Sequence, residues 1–120
     1  VVLVDVWASW CRWCPRSLPF YSGLQTSQSE RGFSYVGIDI DADPRAGRAL
    51  LKALGAEQLV ELEDREGKSV TQRLDIQRLP LRLLIDRTGH VRSVVQGYAS
   101  DDEPDIRRAV DSLLSERSGE

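Results

Sequence analysis

Val1-Val2-Leu3-Val4-Asp5-Val6-Trp7-Ala8-Ser9-Trp10-Cys11-Arg12-Trp13-Cys14 opens the chain, and its reading decides the fold. The first seven residues are strand formers interrupted by a single acid, the pattern of a central strand buried on both faces. From Cys11 to about Gln28, Cys14, Leu18, Tyr21 and Leu24 recur at helical spacing. Pro15 suits a first turn, and Pro19 predicts a kink. The two cysteines, the only ones present, therefore fall at a strand-to-helix junction. Unpaired N–H groups and the positive end of the dipole stabilise a thiolate there, the form that attacks a disulfide. Cys11 is the expected thiolate. Cys14, three residues along, can close a ring with it once a mixed disulfide has formed.

Working outward, Phe33 to Ile40 has strand composition, and Asp43-Pro44 supplies a cap and first-turn proline for a second helix ending at Gly55. Leu59 to Leu62 reads as a short strand, Asp64 to Lys68 as a turn, and Ser69 to Ile76 as a short helix capped by Ser69. Leu81–Asp86 and Val91–Gln96 flank Arg87-Thr88-Gly89-His90 as a β-hairpin. Ser100-x-x-Glu103 has the pattern of a capping box before a terminal helix striped by Ile106, Ala109, Val110, Leu113 and Leu114. The order βα-βα-insert-ββα implies one α/β domain over residues 1–120, a mixed central sheet with helices on both faces.

Sixteen Lys and Arg against 19 Asp and Glu leave a net charge of −3, which disfavours nucleic-acid binding. No apolar run approaches the roughly 20 residues of a membrane span. The chain has no Met and begins inside a strand-forming run, so a signal peptide or membrane anchor is expected upstream of it. Zinc usually takes four ligands, and the chain offers Cys11, Cys14 and one histidine, His90, in the hairpin turn. No metal site and no bound cofactor are expected beyond a redox-active Cys11–Cys14 disulfide. Copper carriage, which would want a third soft or imidazole ligand, is the rival from another class, with a redox-responsive interaction module beside it. Asp41, Asp43, Asp101, Asp102 and Glu103 fall at helix starts, where capping and dipole compensation account for them.

Residues 3–14 resemble the active-site segment of the thioredoxin superfamily, with Pro19 where that family kinks its helix and Leu79-Pro80 at the place of its cis-proline. Asp41-Ala42-Asp43-Pro44 and Leu83-Leu84-Ile85-Asp86-Arg87-Thr88-Gly89 make the chain more similar to the periplasmic TlpA/ResA/DsbE branch. The resemblance implies a thioredoxin fold and a monomeric thiol:disulfide oxidoreductase. It would exchange electrons with protein disulfides or dithiols and with an upstream redox partner. It also implies an N-terminal hairpin ahead of residue 1, a periplasmic or otherwise extracytoplasmic place, and a reductase role in cytochrome c maturation. A cytoplasmic place and the direction of electron flow stay open.

Carried onto this sequence, the resemblance makes Asp5 a buried carboxylate that takes a proton from Cys14, and Pro80 a cis-proline facing the sulfurs. The backbone of Leu79 would then pair with an extended substrate. Arg12-Trp13 departs from the Gly-Pro of thioredoxin, and Leu81 stands where the family often has Thr. Arg12 adds a cation that favours the Cys11 thiolate and a more oxidising pair. Trp13 would stack on a partner chain or pack on its own helix, and Trp10 flanks the site.

Overall fold

The computed structural model describes residues 1–65 and 69–116. Its elements are β1 (Val2–Trp7), α1 (Cys14–Gln28), β2 (Ser34–Asp39), α2 (Pro44–Ala53), β3 (Val60–Glu63), α3 (Val70–Arg73), β4 (Leu81–Ile85), β5 (Val91–Gln96) and α4 (Glu103–Ser115). One five-stranded sheet runs β3-β2-β1-β4-β5. The apolar opening strand takes the centre, parallel to β2 and antiparallel to β4, as its burial on both faces required. Part of the expected Asp64–Lys68 turn, residues 66–68, lies outside the described residues.

Side chains alternate across β1. Leu3 and Trp7 point into the main core with Tyr35 and Leu84, against Cys14, Leu18, Tyr21 and Leu24 of α1 and Ile106, Val110, Leu113 and Leu114 of α4. Leu51 of α2 joins them. Val6, Ala8, Ile40 and Leu81 form a smaller core on the opposite face, closed by Val70 of α3 and by Leu74. Helices thus cover both faces of a thioredoxin fold, the second with a single turn.

Element ends depart from expectation where prolines and acids decide them. α1 begins at Cys14, not Cys11. A helix starting at Cys11 would press the Pro15 ring on the carbonyl four residues back, which is that of Cys11. That carbonyl instead accepts from the Cys14 N–H at 3.3 Å. Ser69 does not cap α3: the Val70 N–H donates to Asp64 Oδ2 at 2.9 Å, and the helix stops at Arg73. The Ser100 box does not form either. Asp102 Oδ2 accepts from the Ala99 N–H at 2.9 Å, while α4 starts at Glu103 with Pro104 in its first turn. Asp43 does cap α2, accepting from the Arg45 N–H at 3.0 Å. That helix closes with Gly55 at φ +67°, its N–H on the Lys52 carbonyl and the Ala56 N–H on that of Leu51.

Gly47 in α2 allows a close approach. A Cβ there would lie 1.9 Å from Asp39 Oδ2 and 3.0 Å from Asp41 Oδ2, both on buried residues. In an exposed helix Gly→Ala gains about 1 kcal/mol. Here we expect Gly47→Ala to lower stability by about 1–3 kcal/mol, because short buried carboxylates cannot swing aside as a long side chain would. Urea denaturation of the oxidised protein measures it, and a stabilised variant would contradict the packing described.

Candidate active site

At the end of β1 the chain turns through Ala8–Trp13 into α1, and this turn is pinned from β2. The Ile40 N–H donates to the Trp7 carbonyl at 2.9 Å. Asp41 accepts from the Ser9 N–H at 2.9 Å and from Ser9 Oγ at 2.7 Å. The sequence offered Asp41 only as an acid near a helix start; the structure makes it a clamp two residues ahead of Cys11. Its own N–H donates to Asp39 Oδ1 at 2.9 Å. Burial, reinforced by Asp41 alongside, pushes the Asp39 carboxyl up to about 7.

Cys11 and Cys14 are joined as a disulfide with Cα atoms 5.4 Å apart. Cys14 is fully buried, whereas Cys11 keeps 6% of its surface open to solvent. The first turn of α1 holds no acid, and Trp13 at the cap makes no side-chain hydrogen bond, so the positive end of the helix stands uncompensated beside the sulfurs.

The Val6–Leu81 register brings residues 79 and 80 to the same end of the sheet as the cysteine turn. The Leu79–Pro80 bond is cis. Gln96 Oε1 accepts from the Gln77 and Arg78 N–H groups at 2.7 and 2.8 Å, fixing the approach to it. Among the described residues the N–H and carbonyl of Leu79 make no backbone hydrogen bond. A groove lies on each side of Leu79. One of about 230 Å³ is walled by Trp13, Arg78 and Tyr98, the other of about 190 Å³ by Trp10, Ile76 and Arg78. Trp10 is 69% exposed and Trp13 38%. The exposed Arg12 lays its guanidinium over the Trp13 ring, 5.5 Å from the centroid, a cation–π contact.

Asp5 is completely buried in β1, and desolvation pushes its carboxyl up to about 7 against the opposing pull of Tyr35 and Arg82. Oδ2 lies 2.8 Å from the Tyr35 hydroxyl, while Oδ1 has no hydrogen-bond partner among the described residues. Sequence reasoning missed the residues that surround it. Arg82 pairs with Asp5 across β1–β4 and is itself buried. Glu61 of β3 accepts from Trp7 Nε1 at 2.8 Å, and its other oxygen lies 3.0 Å from the Tyr35 hydroxyl. Burial pushes Glu61 up to about 8. The one signal in the sequence was Gly37 inside a strand, a mark of close approach by another group.

His90 sits in the β4–β5 turn with its side chain 77% exposed. The Val2–Ile85 register puts that turn at the far end of the sheet from the cysteines, so His90 offers them no third ligand. Among the described residues no three His, Cys, Asp or Glu side chains cluster as a metal site, and no helix is long and apolar enough to cross a membrane.

The Redoxin family model matches residues 1–110. The thiol-disulfide oxidoreductase ResA of Bacillus anthracis is 22% identical over 102 residues, 85% of this chain and 58% of the relative. A protein of Pasteurella multocida assigned as thiol:disulfide interchange protein DsbE-2 is 30% identical over 90 residues, 75% of this chain and 45% of its own. The chain thus spans about half the length of the curated relatives it matches. A Chlorobium tepidum structure assigned as a thiol:disulfide interchange protein DsbE superposes with TM-score 0.89 at 26% identity, covering 96% of this chain and 80% of that one. A secreted Mycobacterium tuberculosis disulfide oxidoreductase shares the fold, with TM-score 0.75 at 21% identity over 91% of this chain and 80% of that one.

Proposed function

The chain belongs to the Redoxin family, and from that membership we propose that it is a thiol:disulfide oxidoreductase working through Cys11 and Cys14. The observation that carries the reading is a disulfide at the start of α1, at the same end of the sheet as the Leu79–Pro80 turn. In the dithiol form, the Cys11 thiolate attacks one sulfur of a partner disulfide, whose bond breaks to release a partner thiolate. Cys14 then gives its proton to Asp5 and attacks the Cys11 sulfur, expelling the second partner thiolate and closing the disulfide described here. An upstream dithiol returns the two electrons. The pair is the only redox group this cycle needs.

Each remaining site residue has a place in docking. Pro80 carries no N–H and presents its ring where a substrate strand approaches, and the free backbone groups of Leu79 pair with that strand. Trp10 and Trp13 wall the two grooves beside it and give apolar faces to its side chains. Arg12, stacked on Trp13, stiffens that wall and adds a positive charge near the incoming thiolate. The fold works as a monomer. Resemblance to the ResA and DsbE branch supports an extracytoplasmic place and a reductase role in cytochrome c maturation.

Reduction of insulin by dithiothreitol tests the activity. We expect the protein at micromolar concentration to hasten B-chain precipitation in repeated turnovers. No acceleration, together with stoichiometric Cu(I) binding, would replace the enzyme with a metal carrier.

A further inference from the structure

Glu61, Gly37, Asp5 and Arg82 are direct partners in neighbouring strands, so they form one row across β3, β2, β1 and β4 with side chains on one face. Gly37 has no side chain, and the Glu61 carboxylate fills the space above it: a Cβ at Gly37 would meet Glu61 Oε1 at 1.9 Å. The glycine gap lets an edge-strand acid reach towards the central strand. Between the two carboxylates stands the Tyr35 hydroxyl, 2.8 Å from Asp5 Oδ2 and 3.0 Å from Glu61 Oε2.

A phenol has one hydrogen to donate. Facing two ionised carboxylates, it could satisfy only one, and the other contact would set lone pairs against each other in a buried site. One carboxyl must therefore carry a proton and donate it to Tyr35. Two arrangements satisfy every atom of the bridge. In one, protonated Glu61 donates to Tyr35, which donates to ionised Asp5; in the other, protonated Asp5 donates to Tyr35, which donates to ionised Glu61. They interconvert by two short hydrogen shifts with the heavy atoms in place. Asp5 is 0% and Tyr35 1% exposed, whereas Glu61 is half-buried on the edge strand and meets water.

We propose that Asp5, Tyr35 and Glu61 act as one proton-holding unit, in which Asp5 receives the Cys14 proton and Glu61 exchanges it with solvent. The proposal rests on the cysteine pair being redox-active. In the dithiol state the unit holds one proton, placed on Glu61, with Asp5 ionised. When Cys14 attacks the Cys11 sulfur, its thiol proton passes to Asp5, most directly at the unpartnered Oδ1, while the partner thiolate leaves with the electron pair of the broken S–S bond. The second proton then leaves through Glu61, and reduction reverses the sequence. The other groups around the unit are Arg82 of β4, which favours ionised Asp5, Tyr21 of α1, Trp7 of β1 and Asp39 of β2.

The test compares Glu61→Gln and Tyr35→Phe with wild type in the full chain. The first readout is the pH profile of mixed-disulfide resolution after mixing reduced protein with a disulfide substrate. In Glu61→Gln the new side-chain amide can accept from Trp7 and donate to Tyr35, as the protonated carboxyl does, so the midpoint should stay within about 0.3 pH unit of wild type. Tyr35→Phe removes the donor, and the midpoint should rise by about one pH unit. Infrared spectra of the oxidised protein at pH 7 give the second readout: a protonated-carboxyl stretch that Glu61→Gln weakens, with the share of Asp39 remaining. A held midpoint in Glu61→Gln, a raised one in Tyr35→Phe and the weakened band support the unit. A midpoint that falls in Glu61→Gln, as removal of an ionised neighbour would make it, one that does not move in Tyr35→Phe, or a band of undiminished strength overturns it, including where only the melting temperature changes. If wild type itself fails to turn over insulin, the redox reading falls instead.

Discussion

Cys14→Ser should leave the protein caught on its partner. With Cys11 as the attacking sulfur, the variant still opens a substrate disulfide, but a hydroxyl cannot displace the bound thiolate. A one-to-one mixed disulfide therefore accumulates, visible on non-reducing gels and released by dithiothreitol. Turnover falls to the uncatalysed rate after a single event. Cys11→Ser should fall to the same rate without forming the complex, because Cys14 is fully buried and cannot reach a partner. The asymmetry follows from the turn geometry. Pro15 holds the start of α1 at Cys14, so Cys11 stays in the preceding turn where a partner can approach it. Equal trapping by both variants would place the nucleophile wrongly, and trapping by Cys11→Ser alone would exchange the two roles.

What the sequence disclosed depended on how far apart the interacting residues lie. The apolar run around Asp5, the cysteine spacing, the Asp43-Pro44 cap and the hairpin around Gly89 are local patterns, and each leads to the element it indicates. Errors at Cys11, Ser69 and Ser100 were also local, decided by a competing proline or acid a few residues away. The surroundings of Asp5 were not legible, because they depend on register: Glu61 reaches Asp5 only when β3 pairs with β2 at Gly37, 56 positions from one acid to the other but two strands in space. Asp41 illustrates the same limit. Beside Asp43-Pro44 it reads as helix-start charge, and only the fold brings Ser9 to it.

That buried acid row also sets how stability responds to pH. Unfolded carboxyls titrate near 4, whereas in the folded chain Asp5 and Asp39 are pushed to about 7 and Glu61 to about 8, chiefly by burial. Between these values the native state binds more protons than the unfolded chain, so stability must fall as pH rises. The contribution is complete below about pH 4 and exhausted above about pH 8. Asp86 acts oppositely: hydrogen bonds, first that of Thr88, hold it well below the ordinary range, so its contribution is lost only in strong acid. We expect greatest stability near pH 4 and a loss of several kcal/mol by pH 8.5, or upwards of roughly 10 °C in melting temperature. Glu61→Gln removes one of the three titrating groups, so its curve should be visibly flatter, with the gain over wild type growing with pH. Urea titrations of the oxidised protein from pH 5 to 8.5 measure both slopes. A wild-type stability that is level or rising across that interval would mean that these carboxylates ionise as freely inside the protein as outside it, which the single hydrogen of Tyr35 between two acids does not allow.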